Sequence, residues 1–283
     1  MRPPTTSALI VAAAVLVAGC ASRVERSGSE VRTSSGAGMS PGADTAPLSL
    51  MIVGELSRDV LGKALKRPTA VRATSDGAIY LIDSGNQRIL KLDSDFQPLA
   101  ERGGLGSFKG MFHDPLALAL SPTGRVYVGD AELLTVQRFD ENLNVIDHLV
   151  YEDDEDALKF GRPNGLVIGR DDELWVIDRD ANRIAVFDRF HSFKEFVADY
   201  NSGGVRLERP GAAMNTPGAY IAVCDEQAGR VVVYDEFGSE RFTFGEKLLR
   251  EPSDIACDAS GRYWITDRTL DEALCFSGEG QLL

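Results

Sequence analysis

Histidine is nearly missing from this 283-residue chain: three are present, beside 43 acidic and 30 basic residues. A zinc centre needs three or more converging nitrogen, sulfur or carboxylate ligands. His113, His148 and His191 stand at three unlike places in the sequence, which argues against a histidine-built metal centre. Basic charge is also short, and a formal net charge of −13 disfavours nucleic acid and anionic lipid surfaces as partners. There is no glycine-rich phosphate loop of the Gly-x4-Gly-Lys-Ser/Thr kind, so one common catalytic signature is missing. After residue 20 no apolar run is long enough to cross a bilayer. The acidic run Glu152-Asp-Asp-Glu-Asp156 lacks the alternating ligands and the glycine of a calcium loop, and it reads as a solvated loop.

What fills the chain instead is a repeat. Pro68, Pro115, Pro163, Pro210 and Pro252 are each followed fifteen residues later by Asp83, Asp130, Asp178, Asp225 and Asp267. Ten residues further on stand Asp93, Asp140, Asp188, Asp235 and Ser277. The prolines are 47, 48, 47 and 42 residues apart, and self-similarity at such a period signals a propeller or solenoid. Tyr80, Tyr127, Trp175 and Trp264 lie three residues before the first aspartate, with Ala222 the exception. Aromatic and β-branched runs bounded by turn residues are strands. Gly77, Gly124 and Gly261 supply a backbone able to turn between the first and second strands. An aspartate present in every unit points to a structural turn cap, its carboxylate accepting backbone N–H groups.

Each unit gives three strands, and a fourth follows, as at Glu240–Gly245. The expected fold is therefore an all-β propeller of five four-stranded blades over residues 48–283, with six blades as the alternative. The fifth unit ends too early for a full fourth strand, and Leu50–Leu56 resembles Phe242–Leu248. An N-terminal strand completing the last blade would close the ring and remove its open edge. On this layout Cys257 and Cys275 sit two strand spacings apart, roughly 9.5 Å, beyond the reach of a disulfide. Free thiols are expected, Cys224 included.

The first 47 residues are not part of that domain. Arg2 precedes an eleven-residue apolar run, Ala8–Ala18, which is too short to span a bilayer and has the layout of a secretory signal. Residues 21–47 are rich in serine, glycine and alanine, without aromatics or apolar period, and read as a flexible tether. The ending Val17-Ala18-Gly19-Cys20 resembles a bacterial lipobox. That resemblance implies a signal peptide over residues 1–20 and an acylated Cys20, several chains giving a stable membrane anchor. With Ala21 next, a cell with two membranes would carry the protein on the outer membrane, facing the periplasm.

Blocks such as Arg67-Pro-Thr-Ala-Val-Arg-Ala and Gly77-Ala-Ile-Tyr-Leu-Ile-Asp-Ser-Gly-Asn-Gln-Arg-Ile resemble NHL repeats, known as β-propeller blades. The resemblance covers nearly all of 48–283 and implies the fold. It says little of activity, because the family spans lyases, interaction platforms and sensor domains. Amidating lyases of the NHL type bind zinc through histidines directly after the blade prolines, where this chain has Thr69, Leu116, Asn164, Gly211 and Ser253. Six-bladed lactonases carry a Pro-Asn-Gly segment whose asparagine ligates a divalent ion, and Pro163-Asn164-Gly165 is similar. Their other motifs are not recognisable here, so a satisfied turn asparagine is the expectation and no cofactor is assigned.

The residues just before the prolines are Arg67, Asp114, Arg162, Arg209 and Glu251. In a closed ring these five side chains surround one mouth of the central channel. Three guanidiniums on an acidic body are a candidate site for a carboxylate or phosphate; pairing with neighbouring acids is the plainer expectation. The function expected is a membrane-anchored, exported scaffold that binds a protein partner or a small anionic ligand. The alternative is a small-molecule hydrolase, lactonase or lyase working at the arginine-lined mouth, with a divalent ion near Asn164.

Overall fold

The fifteen-residue spacing between proline and aspartate is the length of one antiparallel hairpin. Pro68 pairs directly with Asp83, Pro115 with Asp130, Pro163 with Asp178, Pro210 with Asp225 and Pro252 with Asp267. A bulge follows each proline, which fits a residue that has no N–H to give the ladder. The arginine five positions after the aspartate is its partner on the next strand, as in Asp83–Arg88, Asp178–Arg183 and Asp225–Arg230. The sequence ruler is thus a register.

The computed structural model describes residues 59–149, 160–199, 204–258 and 260–283. A short hairpin of β1 (Asp59–Val60) and β2 (Lys63–Ala64) comes first. Blade one is β3 (Pro68–Ala73), β4 (Ile79–Asp83), β5 (Arg88–Leu92) and β6 (Pro98–Gly103). Blade two is β7 (Pro115–Leu120), β8 (Val126–Asp130), β9 (Thr135–Phe139) and β10 (Val145–Leu149). Blade three is β11 (Pro163–Ile168), β12 (Leu174–Asp178), β13 (Arg183–Phe187) and β14 (Phe193–Val197). Blade four is β15 (Pro210–Thr216), β16 (Tyr220–Asp225), β17 (Arg230–Tyr234) and β18 (Glu240–Phe244). Blade five is β19 (Pro252–Cys257), β20 (Tyr263–Asp267) and β21 (Glu272–Phe276).

Each blade is an antiparallel meander, with strands hydrogen-bonded in chain order. The first strands of successive blades neighbour one another from β3 through β7, β11 and β15 to β19, so they line the centre. Five blades are built from the described residues, and the sixth of the alternative reading is not among them. On blade five, Leu282 bridges Phe276 and the Leu283 N–H donates to the Cys275 carbonyl. This is the register in which Pro98 pairs with Leu92 at the start of β6. The proposed closing strand Leu50–Leu56, the lipobox Cys20, the tether 21–47 and the acidic run Glu152–Asp156 lie outside the described residues.

The second strands are buried on both faces because blades stack face to face; all five residues of β4, β8 and β12 are buried. The apolar clusters lie between blades rather than within them. Trp175, Ile177 and Val186 of blade three pack with Ala213, Val223 and Tyr234 of blade four. Similar clusters join blades one and two, two and three, and four and five. The seam from blade five back to blade one differs. There Ala256, Trp264 and Cys275 form one small cluster, while Val60 of the hairpin covers Ile79, Leu81, Leu90 and Leu92 of blade one. Cys224, Cys257 and Cys275 are free, with Cys257 on β19 and Cys275 on β21.

Candidate functional site at the channel mouth

The five aspartates at the ends of the second strands set the geometry of the mouth. All are buried, and their carboxylates accept backbone N–H groups, two of them from both the turn that follows and the segment ahead of the first strand. Asp130 takes the N–H groups of Glu132 and Leu133 in the turn after it, and those of His113 and Asp114 ahead of β7. Asp267 does the same for Thr269, Leu270, Arg250 and Glu251. Asp225 holds the N–H groups of Glu208 and Arg209, and Asp83 that of Lys66. Asp178 accepts from Asp180 and Ala181 in its own turn. Three of them also face an arginine: Arg88 Nε lies 2.7 Å from Asp83, Arg230 3.1 Å from Asp225 and Arg183 3.6 Å from Asp178. A buried carboxylate needs such donors to remain charged. The bonds to the chain sixteen and seventeen residues earlier were not visible in the sequence, because they depend on where the previous blade delivers the chain.

Those bonds fix the residues before the prolines, which form the rim. Arg67 pairs with Asp114 of the next blade and donates to Ser84 Oγ at 2.8 Å. Arg209 lies 2.7 Å from Glu251 and 3.2 Å from Glu226. Arg179 is 3.0 Å from the same Glu226, and Arg268 is 3.1 Å from Glu251. Glu226 and Glu251 therefore each bridge two arginines, and the pairs run across the junctions of blades three, four and five. Arg162 is the loosest member, mostly exposed and 3.8 Å from Asp180. Glu226, Arg179 and Arg268 were missed from sequence because they stand just after the aspartates rather than before the prolines.

Asn164 sits just inside the mouth, half-buried, in the bulge after Pro163. The neighbouring Gly165 is required there: a Cβ would come within 2.5 Å of the Gly211 carbonyl on β15. Among the described residues no three His, Cys, Asp or Glu side chains converge in a way that would hold a metal ion. Thr69 Oγ1 donates to the Pro115 carbonyl at 3.2 Å, and Ser253 Oγ contacts Thr266. Two of the five positions after the prolines are thus occupied with holding strands together.

Deeper in the channel stand Arg72 on β3 and Asp254 on β19. Arg72 donates to its own Val71 carbonyl at 2.9 Å and reaches the Ala213 carbonyl of blade four at 3.4 Å. Asp254 keeps some exposed area towards the channel but is enclosed by protein, and burial pushes its carboxyl up while the Arg72 charge draws it down. The other repeats carry Ala119, Val167, Met214 and Ala256 at the offset of Arg72, and Ala70, Ala117, Gly165 and Ala212 at that of Asp254. Reading the columns for charged exceptions would have found both.

Comparison with known proteins follows the same lines. Residues 160–187, the third blade's first three strands with the turns between them, match the NHL repeat family model. Over 105 residues the chain is 30% identical to NHL repeat-containing protein 3 of Mus musculus, covering 35% of this chain and 30% of that protein. Over 127 residues it is 22% identical to Protein brain tumor of Drosophila melanogaster, covering 44% of this chain and 12% of that one. The matched stretch spans a third or less of these relatives' own lengths. Among solved structures it is similar to a streptogramin B lyase, with a TM-score of 0.60 at 12% identity, covering 76% of this chain and 67% of that one. That likeness is one of fold. The chain is a five-bladed β-propeller whose third blade matches the NHL repeat model.

Proposed function

We propose that this protein is a binding scaffold that presents the mouth face of its propeller to a protein partner. It is held at a cell-envelope membrane by a lipid on Cys20, facing the periplasm on the outer membrane where the cell has two. The observation that carries the reading is the charge-compensated rim. Arg67, Arg162, Arg179, Arg209 and Arg268 each face a carboxylate, which makes the rim a fixed ring of alternating charge. Such a surface suits docking by complementary charges, which gives specificity and speed of encounter. The lipid follows from Val17-Ala18-Gly19-Cys20 alone.

The test is a photocrosslinking amino acid placed in native membranes at Thr269 on the mouth face or at Phe237 on the opposite face. A discrete adduct from Thr269 and none from Phe237 is the expected result; the reverse pattern sinks the assignment of the face. Cys20→Ala should release the protein from the membrane fraction.

A second reading, a small anionic ligand at the mouth, is favoured by Arg162, whose guanidinium is mostly exposed. A ligand at a hundred times its Kd would stabilise the fold by about 2.7 kcal/mol. A thermal shift with a small carboxylate or phosphate that vanishes in Arg162→Ala would support it. Lyase chemistry of the kind named for the structural neighbour is not carried over. A likeness of fold at 12% identity carries no chemistry with it.

A further inference from the structure

One group of side chains on the mouth face of blade two is not part of the rim network. The connection from β6 to β7 carries Ser107 and His113, and the turn after Asp130 carries Glu132. Ser107 Oγ lies 3.4 Å from His113 Nε2, and His113 Nδ1 lies 3.5 Å from Glu132 Oε1. That is a nucleophile, a base and a group that orients the base, in the connectivity that acyl transfer requires. Both contacts are somewhat longer than tight hydrogen bonds, as catalytic contacts often are before a substrate closes them.

Buried polar groups hold all three in place. Asp130 fixes two of them, accepting the backbone N–H of His113 at 2.7 Å and that of Glu132 at 3.0 Å. The loop bearing Ser107 is clamped by buried Gln137, which accepts from the Gly110 N–H at 2.7 Å and donates to the Met111 carbonyl at 2.6 Å. The loop is also tight in itself, with Gly106 donating to Phe112 and Phe112 to Gly104. Two residues before the other blade prolines stand Lys66, Gly161, Glu208 and Arg250. His113 is thus a departure from the repeat, and stacking the blades does not require it.

Ser107 also stands at the lip of a cavity of about 400 Å³, lined further by Phe108, Lys109, Leu133, Thr135 and His148. Thr135 and His148 form part of its wall, with Thr135 Oγ1 and His148 Nδ1 themselves enclosed by protein. Lys109 brings a positive charge to this lining, which suits a ligand carrying hydroxyl or carboxylate oxygens.

The geometry points to Ser107 as the nucleophile of an esterase site, acting on esters whose short acyl or alcohol part carries polar oxygens. Ser107 Oγ attacks the ester carbonyl carbon as its proton passes to His113 Nε2. The backbone N–H groups of Phe108 and Lys109 have no protein acceptor among the described residues and are the donors available to the oxyanion. Collapse of the intermediate breaks the carbon–oxygen bond to the alcohol, which leaves with the proton from Nε2. Water then attacks the acyl carbon and gives its proton to Nε2. The bond to Oγ breaks, Oγ recovers that proton, and the carboxylic acid departs. Glu132 is a positioning residue throughout.

The test uses the whole chain with a fluorophosphonate reagent, the labelled residue located by mass spectrometry, and a 4-nitrophenyl ester as a chromogenic substrate. The expected result is labelling at Ser107 and ester hydrolysis that is lost in Ser107→Ala. Labelling should slow by about 100-fold or more in His113→Gln and by about 10-fold in Glu132→Gln. Labelling of Ser107 no faster than of other surface serines overturns the proposal, as does hydrolysis unchanged in Ser107→Ala. If His113→Gln melts early, Glu132→Gln decides, because its side chain is exposed and its backbone bond to Asp130 survives; an unchanged labelling rate there counts against the site.

Discussion

Asp130 and Asp267, at the ends of their second strands, are each bonded to two stretches of chain at once, which makes them costly to replace. In Asp267→Ala the N–H groups of Arg250, Glu251, Thr269 and Leu270 all lose their acceptor. The expected loss is about 3 kcal/mol, and a fall in Tm of roughly 10 °C, by the cost of unmet backbone donors in a domain of this size. Thermal unfolding followed by circular dichroism checks it, and a change under a degree would show that water replaces the carboxylate freely. His191 gives a pH-dependent counterpart. It packs edge-on against Tyr127, and burial, then the nearby Arg138 charge, hold its pKa below the usual 6.5. A depressed folded-state value contributes stability above pH 6.5 that is lost as pH falls through the folded value. Tm should therefore drop between pH 7 and pH 5, and His191→Asn should flatten that part of the curve. Asparagine tolerates the left-handed backbone found there, with φ of 65°.

At the scale of elements, the loop between β6 and β7 depends on one buried side chain. Gln137→Ala removes both bonds to Gly110 and Met111, at a cost of about 1–3 kcal/mol. Limited proteolysis should then cut within residues 104–112 before anywhere else in the domain; an unchanged cleavage pattern would mean that the loop holds itself. This loop also marks the boundary of what the sequence could reveal. Strands were legible because proline, aromatic and aspartate recur at fixed offsets, and those offsets are a pairing register. The turn between third and fourth strands was equally regular: Asp93, Asp140, Asp188 and Asp235 each accept N–H groups two and four residues on, and Ser277 Oγ does likewise. Ser107, His113 and Glu132 were not legible as a group, since two different connections of blade two bring them together. The residues before the prolines could be listed from the repeat, but the pairing of Arg209 with Glu226 needed the ring.

For the whole molecule, the seam between blades five and one is the least conventional junction. Among the described residues the other junctions share an apolar cluster, whereas here Arg72 of blade one faces Asp254 of blade five and reaches across the channel to the Ala213 carbonyl of blade four. Asp254 has a raised folded-state value, so its contribution is favourable at low pH and is lost as pH rises through that value. Removing the cation should widen that loss. Arg72→Met is expected to destabilise the domain at pH 7 on the order of 1 to 3 kcal/mol, and by less at pH 4. The double variant with Asp254→Asn should recover much of the difference. Equal losses at both pH values would show that Arg72 acts through packing alone.

The same aspartates bear on how such a ring is assembled in time. Four of them, Asp83, Asp130, Asp225 and Asp267, reach back only sixteen or seventeen residues, so these blades capture their own entry segment before the next blade is needed. Closing so short a loop costs little chain entropy, and contacts of that range favour fast folding. A chain emerging from one end can therefore set its blades one after another, leaving the joining of last to first as the single long-range step.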